Sequence, residues 1–195
     1  MLTETTLHGT TDEQAFDGCL STYNPRALLR HMLETSIIQP EQWASLATEA
    51  RTAVEASEDR DSLVRQIVDL NLLNEYQANR IRNGMVRGLV LGNYRVLGRL
   101  GAGGMGTVYA AEHVLMNRAV AIKVVPVRSH EPASTVGRFL REMRSVASLQ
   151  HPNIVAAFDA GVSARRKPNE PDLYYFVMEQ LKGQPLDEYV KREPI

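Results

Sequence analysis

Three features of this 195-residue chain combine residue types suited to handling phosphate. The first is the run Gly101-Ala102-Gly103-Gly104-Met105-Gly106. Glycine has no Cβ, so its backbone reaches positive φ at little steric cost and its N–H groups can approach phosphate oxygens closely. A bulky residue at Gly103 would obstruct that approach. The spacing alone is a weak signal, because dinucleotide-binding folds share it. In those folds the glycines open a helix; here they run into Thr107-Val108-Tyr109, which has strand composition, so a hairpin turn over a nucleotide fits better. The second feature is Lys123, closing Val120-Ala121-Ile122-Lys123, whose ammonium can hold phosphate as a point charge. The third is Glu142 in Arg138-Phe139-Leu140-Arg141-Glu142-Met143, a carboxylate able to pair with that ammonium. Taken singly, each has an ordinary structural reading as a turn or a solvated charge; in this order they describe a phosphate cradle.

That order resembles the amino-terminal lobe of the protein kinases. Three further segments match it: His151-Pro152-Asn153-Ile154-Val155 after the helix, Phe176-Val177-Met178-Glu179-Gln180-Leu181 at the linker to the second lobe, and Gly183-Gln184-Pro185-Leu186 leading into a helix. The run from Leu100 to Tyr109 is similar to bacterial serine/threonine kinases of the eukaryotic-like type. The helical preface ending in Leu89-Val90-Leu91-Gly92-Asn93-Tyr94 is similar to arrangements in large bacterial multi-domain kinases.

The resemblance implies an α+β fold, a kinase-like lobe of five antiparallel strands and one packed helix, preceded by a small all-α module. It implies ATP as ligand, with Leu100, Val108 and Ala121 as an apolar roof over adenine and Met178 at the back. The backbone carbonyl of Glu179 and the N–H of Leu181 would bond the adenine edge. The turn Gly101, Ala102, Gly103, Gly104, Met105 and Gly106 would cover the phosphates, Lys123 would hold the α- and β-phosphates, and Glu142 would hold Lys123. A complete enzyme would pass the γ-phosphate to a hydroxyl of a protein substrate with Mg2+ bound by later segments. No His-Arg-Asp or Asp-Phe-Gly occurs in these 195 residues, so the chain alone is expected to be inactive and part of a longer kinase. The alternative is a non-catalytic nucleotide-binding or protein-interaction module.

The elements that must position these groups can be read from period and punctuation. Residues 1–23 lack periodicity and are expected to form a flexible leader. From Asn24 the pattern is helical: Leu28, Leu29, Met32 and Leu33 share one face, and Pro40 opens a second helix through Trp43, Leu46, Ala47, Ala50 and Val54. A third carries Leu63, Val64, Ile67 and Val68, and a fourth starts at Asn74, which forms a capping-box pattern with Gln77, and stops at Gly84. These four helices predict a small bundle within a helical module over 24–90, its stripes read as core. The kinase-like lobe, over 94–195, begins with Tyr94 to Leu100, Thr107 to Ala111 and Ala119 to Val125, which predict three antiparallel strands. Ser134 to Leu149 predicts a helix, and Ile154 to Phe158 and Tyr174 to Met178 two more strands. No internal repeat is evident.

A content of 44% hydrophobic and 23% charged residues suits a globular chain. A formal charge of −1 argues against nucleic acid as a partner, since phosphate neutralisation needs a basic face. The single cysteine, Cys19, rules out an internal disulfide and fits a reducing, cytoplasmic setting. No apolar run approaches the roughly 18 residues that cross a bilayer, and no metal site is expected, because the five histidines and the acidic residues lack ligand spacing.

Overall fold

A computed structural model of the chain describes residues 24–104, 106–128, 133–184 and 189–191. The leader over 1–23, Met105, and the helix expected after Pro185 up to residue 188 lie outside the described residues.

Five helices occupy the first part: α1 (Pro25–Glu34), α2 (Pro40–Ala44), α3 (Thr48–Glu55), α4 (Arg60–Asp69) and α5 (Glu75–Arg82). Three of the starts, those of α1, α4 and α5, carry a side-chain cap. The Ala27 N–H donates to Asn24 Oδ1 at 2.8 Å and Pro25 presets the first turn of α1. Asp59 receives the Ser62 N–H at the head of α4, and Asn74 with Gln77 forms a complete capping box on α5. Where the residue pattern predicts one helix from Pro40 to Val54, two stand instead. The Ser45 hydroxyl donates to the Gln42 carbonyl at 2.8 Å, a local bond that competes with helix propagation, and Ala47 is extended. Leu28, Met32, Ile37, Ile38, Leu63, Ile67 and Ile81 form a common core.

A short internal repeat, not evident from residue types, organises this part. Ser36 and Asn71 both adopt φ 57° in the left-handed region. Each is followed by a buried aliphatic pair, Ile37 and Ile38 or Leu72 and Leu73. Then come an amide residue at the helix cap, Gln39 or Asn74, and a glutamine three positions later, Gln42 or Gln77.

The remainder is one antiparallel sheet of β1 (Val90–Leu91), β2 (Tyr94–Gly103), β3 (Gly106–His113), β4 (Arg118–Val127), β5 (Ala157–Ser163) and β6 (Asp172–Glu179), with α6 (Ala133–Ala147) between β4 and β5. The order across the sheet is β1-β2-β3-β4-β6-β5. Six strands replace the expected five because the connector at Val90 and Leu91 pairs with Arg95 and Tyr94. The fourth expected strand starts at Ala157 rather than Ile154, since the Ile154 N–H donates to the His151 carbonyl in a turn after Pro152.

The two faces of the sheet have different covers. Val120, Ile122 and Val124 share one face with Tyr109, Ala111, Leu173, Tyr175 and Val177. Tyr76 of α5 packs against both this cluster and the helical core, joining them, with its ring centroid 6.4 Å from that of Tyr109. The opposite face carries Val125, Val127 and Phe176, against which α6 lays Phe139, Met143 and Val146.

Polar contacts fasten the helices to the sheet. Arg95 Nη1 donates to Gln42 Oε1 at 3.3 Å, and Gln39 Nε2 donates to the Val114 carbonyl at 3.4 Å. In the connector, Arg87 forms an ion pair with Glu170 at 3.5 Å, their side chains 6% and 7% exposed, and Arg87 Nη2 donates to the Ser163 carbonyl. Burial lowers the Arg87 pKa and Glu170 opposes that effect. Removing one member of a buried pair strands the other charge, so Glu170→Ala is expected to cost about 3–5 kcal/mol in denaturant unfolding, far more than a surface substitution.

Three phenols on the sheet, Tyr94, Tyr109 and Tyr175, are held above the ordinary tyrosine value of 10.0, each chiefly by burial. Burial, with Tyr76 next, pushes Tyr109 up to about 12. Burial, followed by the hydrogen bond that its hydroxyl donates to Asp159 Oδ2, does the same to Tyr94. The folded state therefore holds these protons more tightly than the unfolded chain. Stability from this source is complete below pH ~10 and falls as pH rises towards ~12. Urea midpoints measured across that window should decline with pH, and Tyr109→Phe should flatten the decline.

Candidate functional site

Strand register assembles the site. Val108 on β3, Lys123 on β4 and Phe176 on β6 stand abreast, as do Ala110, Ala121 and Met178 in the next row. Period-2 alternation sends Lys123 to the face that α6 covers. There Lys123 Nζ forms a hydrogen-bonded ion pair with Glu142 Oε1. The second oxygen, Glu142 Oε2, is buried and has no hydrogen bond among the described residues. Strand β4 and helix α6 must both be in place for this pair to exist.

Below the turn between β2 and β3 lies a cleft of about 620 Å³, within the size range of small-molecule sites. Gly101, Ala102, Gly103, Gly104 and Gly106 line it from above, Lys123 and Glu142 from within, and Val108 and Met178 from the sheet. Val146, Ile154, Val155 and Phe176 also line it, and sequence reasoning did not single them out as site residues. A signal existed for two of them: Val146 follows Glu142 by one helical turn, and Phe176 alternates with Met178 on one face of β6.

Several expected members stand apart from this lining. Leu100 falls in the register skip between Arg99 and Gly101 and is 53% exposed. Ala121 is buried in the sheet beside Met178. Glu179 ends β6 opposite Val120, and its Oε2 accepts the Ala156 N–H at 3.4 Å. Leu181 lies beyond β6 and is 67% exposed. Met105 is outside the described residues.

The glycines divide into two kinds. Gly106 is at φ 123°, and a Cβ there would collide with the Val124 carbonyl oxygen, so the fold itself demands glycine. Among the described residues, a Cβ on Gly101, Gly103 or Gly104 would meet no atom within 4 Å, and none of the three has positive φ. No packing among the described residues requires those three to be glycine. The space they leave free is the cleft, which fits the close approach of a phosphate chain. Among the described residues, no group of three histidine, cysteine, aspartate or glutamate side chains is arranged to hold a metal ion. No helix among them is long and apolar enough to cross a membrane.

Residues 94–195, which contain the whole site, match the family model described as protein kinase domain, and the chain belongs to that family. Within it, the matched region is the amino-terminal lobe of the bacterial, eukaryotic-like serine/threonine type. It is 41% identical over 101 residues to the serine/threonine-protein kinase PrkC of Bacillus subtilis, an alignment covering 52% of this chain and 14% of that protein. It is 40% identical over 103 residues to the serine/threonine-protein kinase Pkn1 of Myxococcus xanthus, covering 53% and 14%. The DNA damage-responsive kinase RqkA of Deinococcus radiodurans is 40% identical over 98 residues, covering 50% and 14%. The chain thus spans about one seventh of the length of these curated relatives.

The two kinds of glycine separate in a stability measurement. Gly106→Ala should cost at least about 1–3 kcal/mol in thermal or denaturant unfolding, from the disallowed φ with the collision added. Gly103→Ala should unfold close to wild type.

Proposed function

We propose that this chain is the ATP-binding amino-terminal part of a serine/threonine protein kinase, which in the complete enzyme transfers the γ-phosphate of ATP to protein hydroxyls. The observation carrying this reading is the Lys123–Glu142 pair beneath a turn whose glycines border an open cleft among the described residues.

Each residue has a distinct task in that reading. Val108 and Met178 offer aliphatic surface to the adenine ring, where burial and packing favour a flat apolar group. Leu100, Ala121 and the backbone of Glu179 and Leu181 complete the adenine site once the second lobe closes beneath it. The turn presents N–H groups to the phosphates, and Lys123 supplies a cation to the α- and β-phosphates. Glu142 neutralises and orients Lys123, so nucleotide binding depends on α6 staying against the sheet. Mg2+, held by segments of the complete kinase, would offset the remaining phosphate charge during transfer. The His-Arg-Asp and Asp-Phe-Gly segments that supply the base and the metal ligand do not occur in these residues. The chain by itself therefore binds nucleotide without transferring phosphate.

Lys123→Met is the decisive substitution. In the complete kinase it should reduce phosphoryl transfer by roughly a hundredfold, the scale of removing one pre-aligned stabilising donor, about 3 kcal/mol. In the 195-residue chain it should weaken ATP binding by calorimetry with little change in unfolding. Wild-type transfer rates in the variant kinase would contradict the assignment.

A further inference from the structure

We propose that Asn74 and Gln77, remote from the cleft, are positioning residues for the glycine turn: they pin β2 where the β2–β3 hairpin leaves the body of the sheet. The proposal rests on the reading of the cleft as a nucleotide site and assigns part of its affinity to the first turn of α5.

Strand β2 changes character along its length. From Tyr94 to Val96 it is buried and flanked on both sides, by β1 through Val90 and Leu91 and by β3 through Ala111, Glu112 and His113. From Arg99 to Gly103 it is exposed and has β3 as its sole strand partner. The change falls at Leu97, which the register skips between Val96 and Gly98. A skipped residue drops out of the ladder and leaves its backbone groups to find other partners.

Helix α5 supplies them. Asn74 Nδ2 donates to the Leu97 carbonyl at 2.8 Å, and Gln77 Nε2 donates to the Val96 carbonyl at 2.9 Å. Both amides are fixed at their other ends by the capping box. Asn74 Oδ1 accepts the Gln77 N–H at 2.9 Å, and Gln77 Oε1 accepts the Asn74 N–H at 3.0 Å. Gln77 is 1% exposed, so neither end of its amide can exchange its bond for water. Between them Tyr76 packs on Tyr109, which lies opposite Arg99 in the other arm of the hairpin. Three residues of one helical turn therefore hold both arms of the hairpin at its base. Beyond this base the β2 arm from Arg99 to Gly103 is held by β3 alone, through pairs such as Gly101 with Val108 and Gly103 with Gly106, so its place over Lys123 depends on where the base sets it. Loosening it lets the turn swing away from the phosphates and lowers affinity for the nucleotide.

Asn74→Ser separates capping from pinning, because serine keeps an oxygen for the Gln77 N–H but has no amide to reach Leu97. Asn24→Ser is the control, since among the described residues the Asn24 side chain makes only the bond that caps α1. Gln77→Glu is the second variant: it keeps the acceptor for the Asn74 N–H and loses the donor to Val96. Backbone hydrogen exchange and ATP titration calorimetry are measured on the 195-residue chain. In Asn74→Ser and Gln77→Glu, amides of residues 98–107 should exchange faster, amides of α5 should keep their protection, and the Kd for ATP should rise roughly three- to tenfold, the scale of one lost intramolecular hydrogen bond. Asn24→Ser should change neither. Wild-type hairpin exchange and ATP affinity in Asn74→Ser would overturn the proposal, as would equal loss of protection in α5, which would reduce the role to capping. If the wild-type chain takes up no ATP, the nucleotide reading and the affinity half of the proposal both fail, and the exchange rates alone still decide whether the pin exists.

Discussion

One antiparallel sheet with two apolar faces sets the terms for the rest of this molecule. Antiparallel sheets commonly leave one face to water, but here Ile122, Leu173 and Val177 on one side and Val125 and Phe176 on the other are all buried. Both faces need cover, and the chain supplies it from two directions. Helix α6 takes the face of Val125 and Phe176, and α5 brings Tyr76 to the other. The cleft lies on the face that α6 covers.

The charge pair at the site follows from that division. Lys123 interrupts the apolar run from Ala119 to Val127, and its alternation places it under α6 rather than under the helical part. An ammonium with little exposure requires a partner, and Glu142 is the side chain that α6 offers. The pair couples the seating of a helix to the readiness of a cation.

On the second face the joint is built from neutral amides and one ion pair. Gln39, Gln42, Asn74 and Gln77 occupy equivalent places in a short repeat, and each bonds to a residue of the sheet or its loops. Arg87 and Glu170 close the connector against the loop between β5 and β6. A bundle that merely preceded the lobe on a tether would have no use for these contacts, whose buried amides and charges would be costly if left unpaired. The helical part and the lobe pack as neighbours with a shared core residue in Tyr76.

The members of the cleft that stand out by type and order, the glycine run, Lys123 and Glu142, were legible in the residues themselves, and the structure brings them together. The helix starts at Asn24, Pro25 and Asn74 follow from capping groups that act within a few residues. Strand identity was legible wherever β-branched runs were long. What local pattern could not decide was anything set by a partner distant in the chain. Val90 and Leu91 become a strand because Arg95 and Tyr94 lie opposite. Leu100 turns outward because the register skips there, and Val146, Ile154 and Val155 reach the cleft because α6 and the following turn are folded under it. The capping box was visible as a helix signal, yet its spare amide hydrogens meet β2 through packing alone. Composition and spacing determine which groups are available; the pairing of strands and the seating of helices, driven by burial of two sheet faces, decide which of them meet.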